Sequence, residues 1–135
     1  METDINIYLT NYNTLLKTQP DLAERVRSLE VSASCEIINS KNNYPVFKEG
    51  NISFHSTYDP VKEGIRFVEA NLKSNGSDDG STILFYGLGF GYHIKPILEK
   101  KILFEIFEPR LEIIKIAMQH VDLTEIFKKK ELLQN

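Results

Sequence analysis

The chain has no tryptophan and a single cysteine, Cys35, among its 135 residues. One thiol cannot close an internal disulfide, so a disulfide-stapled fold is excluded and a reducing compartment is expected. No stretch approaches the roughly 20 apolar residues that a membrane-spanning helix requires. The N-terminal Met1-Glu2-Thr3-Asp4 is acidic and leads into no long apolar run, unlike a secretory signal. Net charge is −3, with acids and bases interspersed. That leaves no electrostatic footprint for nucleic acid and no basic amphipathic helix for a membrane surface. The one basic run, Lys128-Lys129-Lys130, reads as a solvated helix face or a fraying tail. The chain also lacks a G-x-S-x-G elbow and a P-loop lysine. Its three histidines, His55, His93 and His120, form no metal-ligand spacing with Cys35 or the carboxylates. The expectation is a cytoplasmic protein with no catalytic set and no metal site, and with neither nucleic acid nor membrane as partner.

What is present is an ordinary 41% apolar content, enough for a packed core. Ile5, Leu9, Tyr12 and Leu16 recur at helical spacing and predict an amphipathic helix over 4–17. Pro20 then falls where a helix has its first residue, with Asp21 and Glu24 in the first turn. Leu22, Val26 and Leu29 supply its apolar stripe, and the two helices should pair as a hairpin. From 33 to 55 short β-favouring runs alternate with the turn signals Asn42-Asn43 and Glu49-Gly50-Asn51. They predict a three-stranded antiparallel meander: one strand around Glu36-Ile37-Ile38, one over 44–47 and one over 52–55. Cys35 reads as a buried residue of the first strand. Asp59 caps the next helix with Pro60 at its first position. Ile65, Val68, Ala70 and Leu72 give that helix apolar surface, and Asn75-Gly76 terminates it. Ser77-Asp78-Asp79-Gly80-Ser81 is linker-like and predicts a boundary between a unit at 1–76 and a unit at 82–135.

The second unit carries the strongest signal. Thr82-Ile83-Leu84-Phe85-Tyr86 reads as a buried strand running into Gly87-Leu88-Gly89-Phe90-Gly91. A helix from about 92 to 100, a strand over 102–107 and a helix from 109 to 120 follow. Asp122 caps a last amphipathic segment with Leu123, Ile126, Phe127 and Leu132, and no third parallel strand is expected. Glycines at a strand-to-helix turn allow close backbone approach, and the following helix offers amide N–H groups to an anion. Glu108 lies about 20 residues on, at the end of the next strand, where an acid can accept hydrogen bonds from ribose hydroxyls. The bland alternative is that the glycines only let the turn pack, and that Glu108 caps the following helix. The G-x-G-x-G spacing is that of a methyltransferase-like turn. The expected architecture is α/β: an N-terminal helical hairpin and a small antiparallel meander, followed by the first half of a Rossmann-like parallel sheet. Tyr92 and His93 join the candidate set because they follow the turn. His120, near a helix C-terminus, suits a partial positive charge.

Two motifs together, Ser56-Thr57-Tyr58-Asp59-Pro60-Val61-Lys62-Glu63 and Tyr86 to Ile94 continuing to Glu108-Pro109, carry a further likeness. With the preceding meander they resemble the N-terminal part of the motility accessory factor (Maf) family of flagellin glycosyltransferases. The resemblance covers roughly residues 30–125. It implies a methyltransferase-like domain, shared with 6-hydroxymethylpterin pyrophosphokinase-like proteins. It also implies transfer of a nonulosonic acid from a CMP-activated donor to serine or threonine of flagellin. The candidate binding residues it brings forward are Gly87, Gly89, Gly91, Tyr92, His93 and Glu108, together with Ser56, Tyr58, Asp59 and Glu63. Members of that family are several times longer, so the expectation is a fragment or module, inactive in isolation. A CMP-sugar or an S-adenosylmethionine-like nucleotide is the ligand class implied, and flagellin the implied partner. The other readings are an S-adenosylmethionine-dependent methyltransferase and a non-catalytic assembly module. Unpaired sheet edges favour self-association.

Overall fold

The computed structural model describes residues 5–32, 35–75 and 82–134, with no side-chain description at 73–75. The expected boundary at 77–81 and the terminator Gly76 lie outside the described residues. Helices α1 (Ile5–Thr18) and α2 (Pro20–Ser28) form the expected pair, with Pro20 opening α2. The meander is β1 (Cys35–Asn39), β2 (Pro45–Glu49) and β3 (Ile52–Ser53), in antiparallel order β1-β2-β3. Its turns are the ones the sequence signals: Asn43 and Gly50 both take positive φ, at 69° and 61°. Strand β3 is shorter than the expected 52–55. Phe54 still donates its N–H to Phe47 O at 2.9 Å, and His55 beyond it turns inward.

Helix α3 (Pro60–Asn75) leads to a second sheet of β4 (Ile83–Tyr86), β5 (Phe104–Phe107) and β6 (Leu132–Leu133). All its pairings are parallel, in the order β4-β5-β6, with Ile83 opposite Phe104 and Ile106 opposite Leu132. The third strand corrects the sequence expectation. It is two residues long and leans on the Gln19 side chain, whose Oε1 accepts the Leu132 N–H at 2.7 Å. The Gln19 Nε2 donates back to Leu132 O at 3.0 Å. A second correction concerns 92–100, which holds only a 3-10 turn at Lys95–Ile97. Pro96 has no N–H for a helical ladder, and Gly91 O takes both the Ile94 and Lys95 amides. Between β5 and β6 run α4 (Leu111–His120) and α5 (Thr124–Lys129).

The core is one cluster that joins α1, α2, α4 and α5 to the inner face of the parallel sheet. Phe85, Phe104, Ile106 and Leu132 supply that face. Ile113, Ile114, Ala117, Leu123, Ile126 and Phe127 are buried as expected. The apolar stripe on α1 is a correction: Ile5, Leu9 and Leu16 are exposed, and the buried residues are Leu15 and Asn11. In α3, Val68 is buried while Ile65 is exposed. The basic run is not wholly solvated either. Lys129 Nζ donates to Leu98 O, and Lys130 lies 3.6 Å from Glu105 and over the Phe104 ring. Among the described residues no helix is long and apolar enough to cross a membrane.

Asn11 is fully buried on an otherwise apolar contact between α1 and the α4–α5 junction. Its Nδ2 donates to Met118 O at 2.9 Å and to Val121 O at 2.8 Å. Its Oδ1 accepts from Leu123 N–H at 2.8 Å. A buried backbone group that loses its partner costs about 1–3 kcal/mol. Asn11→Leu is therefore expected to destabilise the chain by about 3 kcal/mol, read as a lower urea midpoint with an unchanged slope. A change within about 0.5 kcal/mol would show that these three bonds do not hold α1 in place.

Candidate functional site

The turn after β4 holds three glycines in left-handed conformations: Gly87 at φ 110°, Gly89 at 52° and Gly91 at 80°. Two of them are also required by packing. A Cβ on Gly89 would sit 2.5 Å from His55 Nε2, and one on Gly91 would sit 2.9 Å from Ile126 Cδ1. Gly87 differs, since a Cβ there would meet nothing within 4 Å. Open space lies in front of Gly87 alone of the three.

Most amides of this turn already have protein partners. Gly87 N–H donates to Phe107 O at 2.7 Å and Gly91 N–H to Leu88 O at 3.0 Å. Leu88 N–H donates to Glu108 Oε1 at 2.9 Å. Phe90 N–H donates to His55 Nε2 at 2.9 Å. Between Gly87 and Gly91, only the Gly89 N–H lacks a hydrogen-bond partner among the described residues. With no α-helix following, the helix-terminus cradle expected from the sequence is not formed.

Glu108 is 3% exposed, and its second oxygen accepts the Arg110 N–H at 3.1 Å. One carboxylate thus bridges the glycine turn and the entry to α4. Glu108 follows the end of β5 and holds the amide just ahead of α4, and its carboxylate is buried.

His55 is the second side chain that clamps the turn. It is 8% exposed, and burial, with a smaller contribution from His93, pushes its pKa down to about 4. As acceptor at Nε2 it must carry its proton on Nδ1. His93 lies 5.8 Å from it between ring centres and places Nε2 3.3 Å from Gly87 O. Burial likewise lowers the His93 pKa. The Tyr92 hydroxyl donates to Pro45 O at 2.6 Å, tying the turn to β2, and burial raises its pKa. His120 stacks on Phe90 with its pKa lowered by burial. It stands in the last turn of α4, as expected from the sequence.

The Ser56–Glu63 motif is a helix cap. Ser56 Oγ accepts the Tyr58 and Asp59 amides, both at 3.1 Å. Asp59 Oδ1 accepts the Lys62 N–H at 2.9 Å, which lowers its pKa. Glu63 Oε1 reaches back to the Ser56 N–H at 3.0 Å, tying the first turn of α3 to the segment that leads into it. Tyr58 is exposed beneath Lys41 Nζ, 5.4 Å from its ring centre. The next residue, Gly64, permits α3 to lie on the turn, because a Cβ there would fall 1.9 Å from Tyr92 O. The two sequence motifs are therefore neighbours in space. His55 and Gly64, which join them, are the residues that motif reading misses.

A separate polar group links β1 and β2 to α4. Cys35 Sγ, Glu49 and Glu112 bring ligand-type atoms within 4.8 Å of one another. Arg110 pairs with Glu49 at 2.9 Å and with Glu112 at 3.3 Å. Burial, together with the Glu112 hydrogen bond, pushes the Cys35 thiol up to about 12, so it donates to Glu112 at 3.0 Å. Cys35 itself is half-buried.

These elements define a Rossmann-like α/β unit: parallel strands joined by a glycine turn, with helices on one face. The fold is Maf-like. It resembles part of a Maf glycosyltransferase from Magnetospirillum magneticum AMB-1, with a TM-score of 0.65 and 13% identity. The likeness covers 96% of this chain and 27% of that one, so the chain spans about a quarter of the structure it matches. No family model and no curated protein matches the sequence. At this identity the likeness is one of fold.

The clamp gives a pH signature. His55 titrates at its ordinary 6.5 when unfolded and at about 4 when folded. The unfolded chain then binds the extra proton first, so stability is full above pH 6.5 and falls as pH drops toward 4. The depression corresponds to roughly 3 kcal/mol. Denaturation at pH 7.5 and pH 5 should show about 2 kcal/mol of this loss, since pH 5 lies between the two values, and His55→Gln should reduce it. An equal pH dependence in the variant would remove His55 from the clamp.

Proposed function

We propose that residues 1–135 serve as the N-terminal module of a Maf-like glycosyltransferase, which moves a CMP-activated nonulosonic acid onto flagellin serine or threonine. The observation that carries this reading is the likeness of fold over nearly the whole chain. The module organises the enzyme and offers one wall of a nucleotide site without performing transfer. Glu108, His55 and Asp59, the groups that could serve as acid or base, are engaged in holding backbone N–H groups.

A nucleotide-like ligand would approach the open space at Gly87. This point lies at the carboxyl end of β4, beside the exposed Tyr86 and the Phe107 ring 5.2 Å from it. Doubly wound sheets take their ligands at the carboxyl ends of strands. The methyltransferase reading fares worse, because it needs the acid after the second strand to face a ribose, and the Glu108 carboxylate is turned into the protein. Assembly remains a second role of the same module, favoured by the exposed Leu84 and Tyr86 of β4.

Titration of the 15N-labelled chain with CMP is expected to shift the amide signals of Tyr86, Gly87 and Phe107, leaving those of Leu88 and Phe90 in place. S-adenosylmethionine should shift none of them. Thermal stabilisation by S-adenosylmethionine, or CMP shifts confined to other regions, would overturn the reading. Saturating ligand at 100 times its dissociation constant would add about 2.7 kcal/mol, which a melt resolves.

A further inference from the structure

Between α3 and the outer edge of β4 runs a groove of about 760 Å³. Phe67, Asn71 and Leu72 line it from the helix, Ile83 and Phe85 from the strand, and His93 also borders it. Among the described residues, strand β4 stands at the end of its sheet and pairs only with β5. Ile83 and Gly87 direct their N–H groups to Leu103 O and Phe107 O on the β5 side. In a parallel strand the backbone groups alternate sides, so those of Leu84 and Tyr86 point to the open edge. Both residues border the groove, and they are 60% and 78% exposed.

We propose that this groove is a strand-receiving site. It takes an extended polypeptide segment as a fourth, parallel β-strand, supplied by a β–α unit that is not part of residues 1–135. Three observations fix that occupant. A helix wall facing an unpaired strand edge is the shape used for strand addition, with main-chain bonds giving affinity and side-chain pockets giving specificity. The rings of Phe67 and Phe85 and the Leu72 side chain ask for apolar residues at alternate positions of the incoming strand. The strand order, read from the far edge, is β6-β5-β4, which is the order 3-2-1 of a doubly wound sheet. Such a sheet continues beyond its first strand with a parallel fourth.

The sheet faces point the same way. Both crossovers, β4 to β5 and β5 to β6, advance in one direction, so right-handed connections put them on one face. The opposite face presents Leu84, Tyr86 and Leu133, all exposed. Parallel sheets are covered on both faces, and the helix of an added β–α unit falls on this bare side. A second copy pairing β4 to β4 about a two-fold axis would be antiparallel and would leave both bare faces uncovered. The inference rests on the geometry of β4 and stands apart from the nucleotide reading.

The probe is a library of random dodecapeptides displayed on phage and selected on the whole immobilised chain. Selected peptides should carry apolar residues at alternate positions. Bound peptide should slow hydrogen exchange at the Leu84 and Tyr86 amides. A spin label on the peptide N-terminus should broaden Ile83 more than Tyr86, as parallel pairing requires. Phe67→Glu and Leu84→Pro should each weaken binding by about tenfold or more, equivalent to roughly 1.4 kcal/mol, with unchanged circular dichroism. Phe67 is half exposed, so its variant keeps the test open if the proline variant does not fold. The proposal is overturned by peptides without alternation or by binding that survives Phe67→Glu. Broadening centred on Tyr86, or a dimer in sedimentation that dissociates on Leu84→Lys, also overturns it.

Discussion

The structure depends on how the backbone between β4 and β5 is held. A glycine turn has little intrinsic preference for one conformation, and ordering it costs more entropy than ordering any other residues. Here two buried side chains hold it: His55 accepts the Phe90 N–H, and Glu108 accepts the Leu88 N–H. Both acceptors are desolvated, which strengthens each bond and raises the penalty for losing it. The glycines fit around these clamps. Gly89 leaves room for His55 and Gly91 for Ile126, so neither position tolerates a Cβ without movement of its neighbour.

This arrangement redistributes the roles that a glycine-rich turn suggests. Most amides that could have cradled an anion hold the turn to the rest of the fold, and the acid that could have met a ribose accepts the Leu88 and Arg110 amides. The cap at Ser56–Glu63 serves the same centre, since it starts α3 where Gly64 can rest on the Tyr92 carbonyl. What stays available is the front of Gly87 and the outer edge of β4. The proposed ligand and strand sites lie side by side there, at the carboxyl end of the strand that an added unit would flank.

Much of the fold was legible in the residues. Pro20 marked the start of α2, Asn42-Asn43 and Gly50 marked the turns of the meander, and Pro60 after Asp59 marked α3. The strand–glycine–strand order marked the parallel pair, and burial along 113–127 followed the expected periodicity. Other features obeyed forces that a one-dimensional pattern does not carry. Asn11 is buried because three backbone groups from the α4–α5 junction converge on it, a fact set by residues about a hundred positions away. Strand β6 has two residues and borrows a ladder partner from the Gln19 side chain, so it has no period to detect. The stretch 92–100 was expected to be helical from its place between two parallel strands, but Pro96 and the double use of Gly91 O limit it to a single 3-10 turn. His55 looked like an isolated strand residue because its partner, Phe90, is brought to it only by the fold.

The clamp on the glycine turn is tested most directly by hydrogen exchange of the Leu88 and Phe90 amides, read by NMR together with the His55 ring nitrogens. If both bonds hold the turn, these two amides exchange as slowly as the central amides of α4, and His55 stays neutral with its proton on Nδ1 at pH 6. Fast exchange at Leu88 and Phe90 with a protonated His55 at that pH would contradict it.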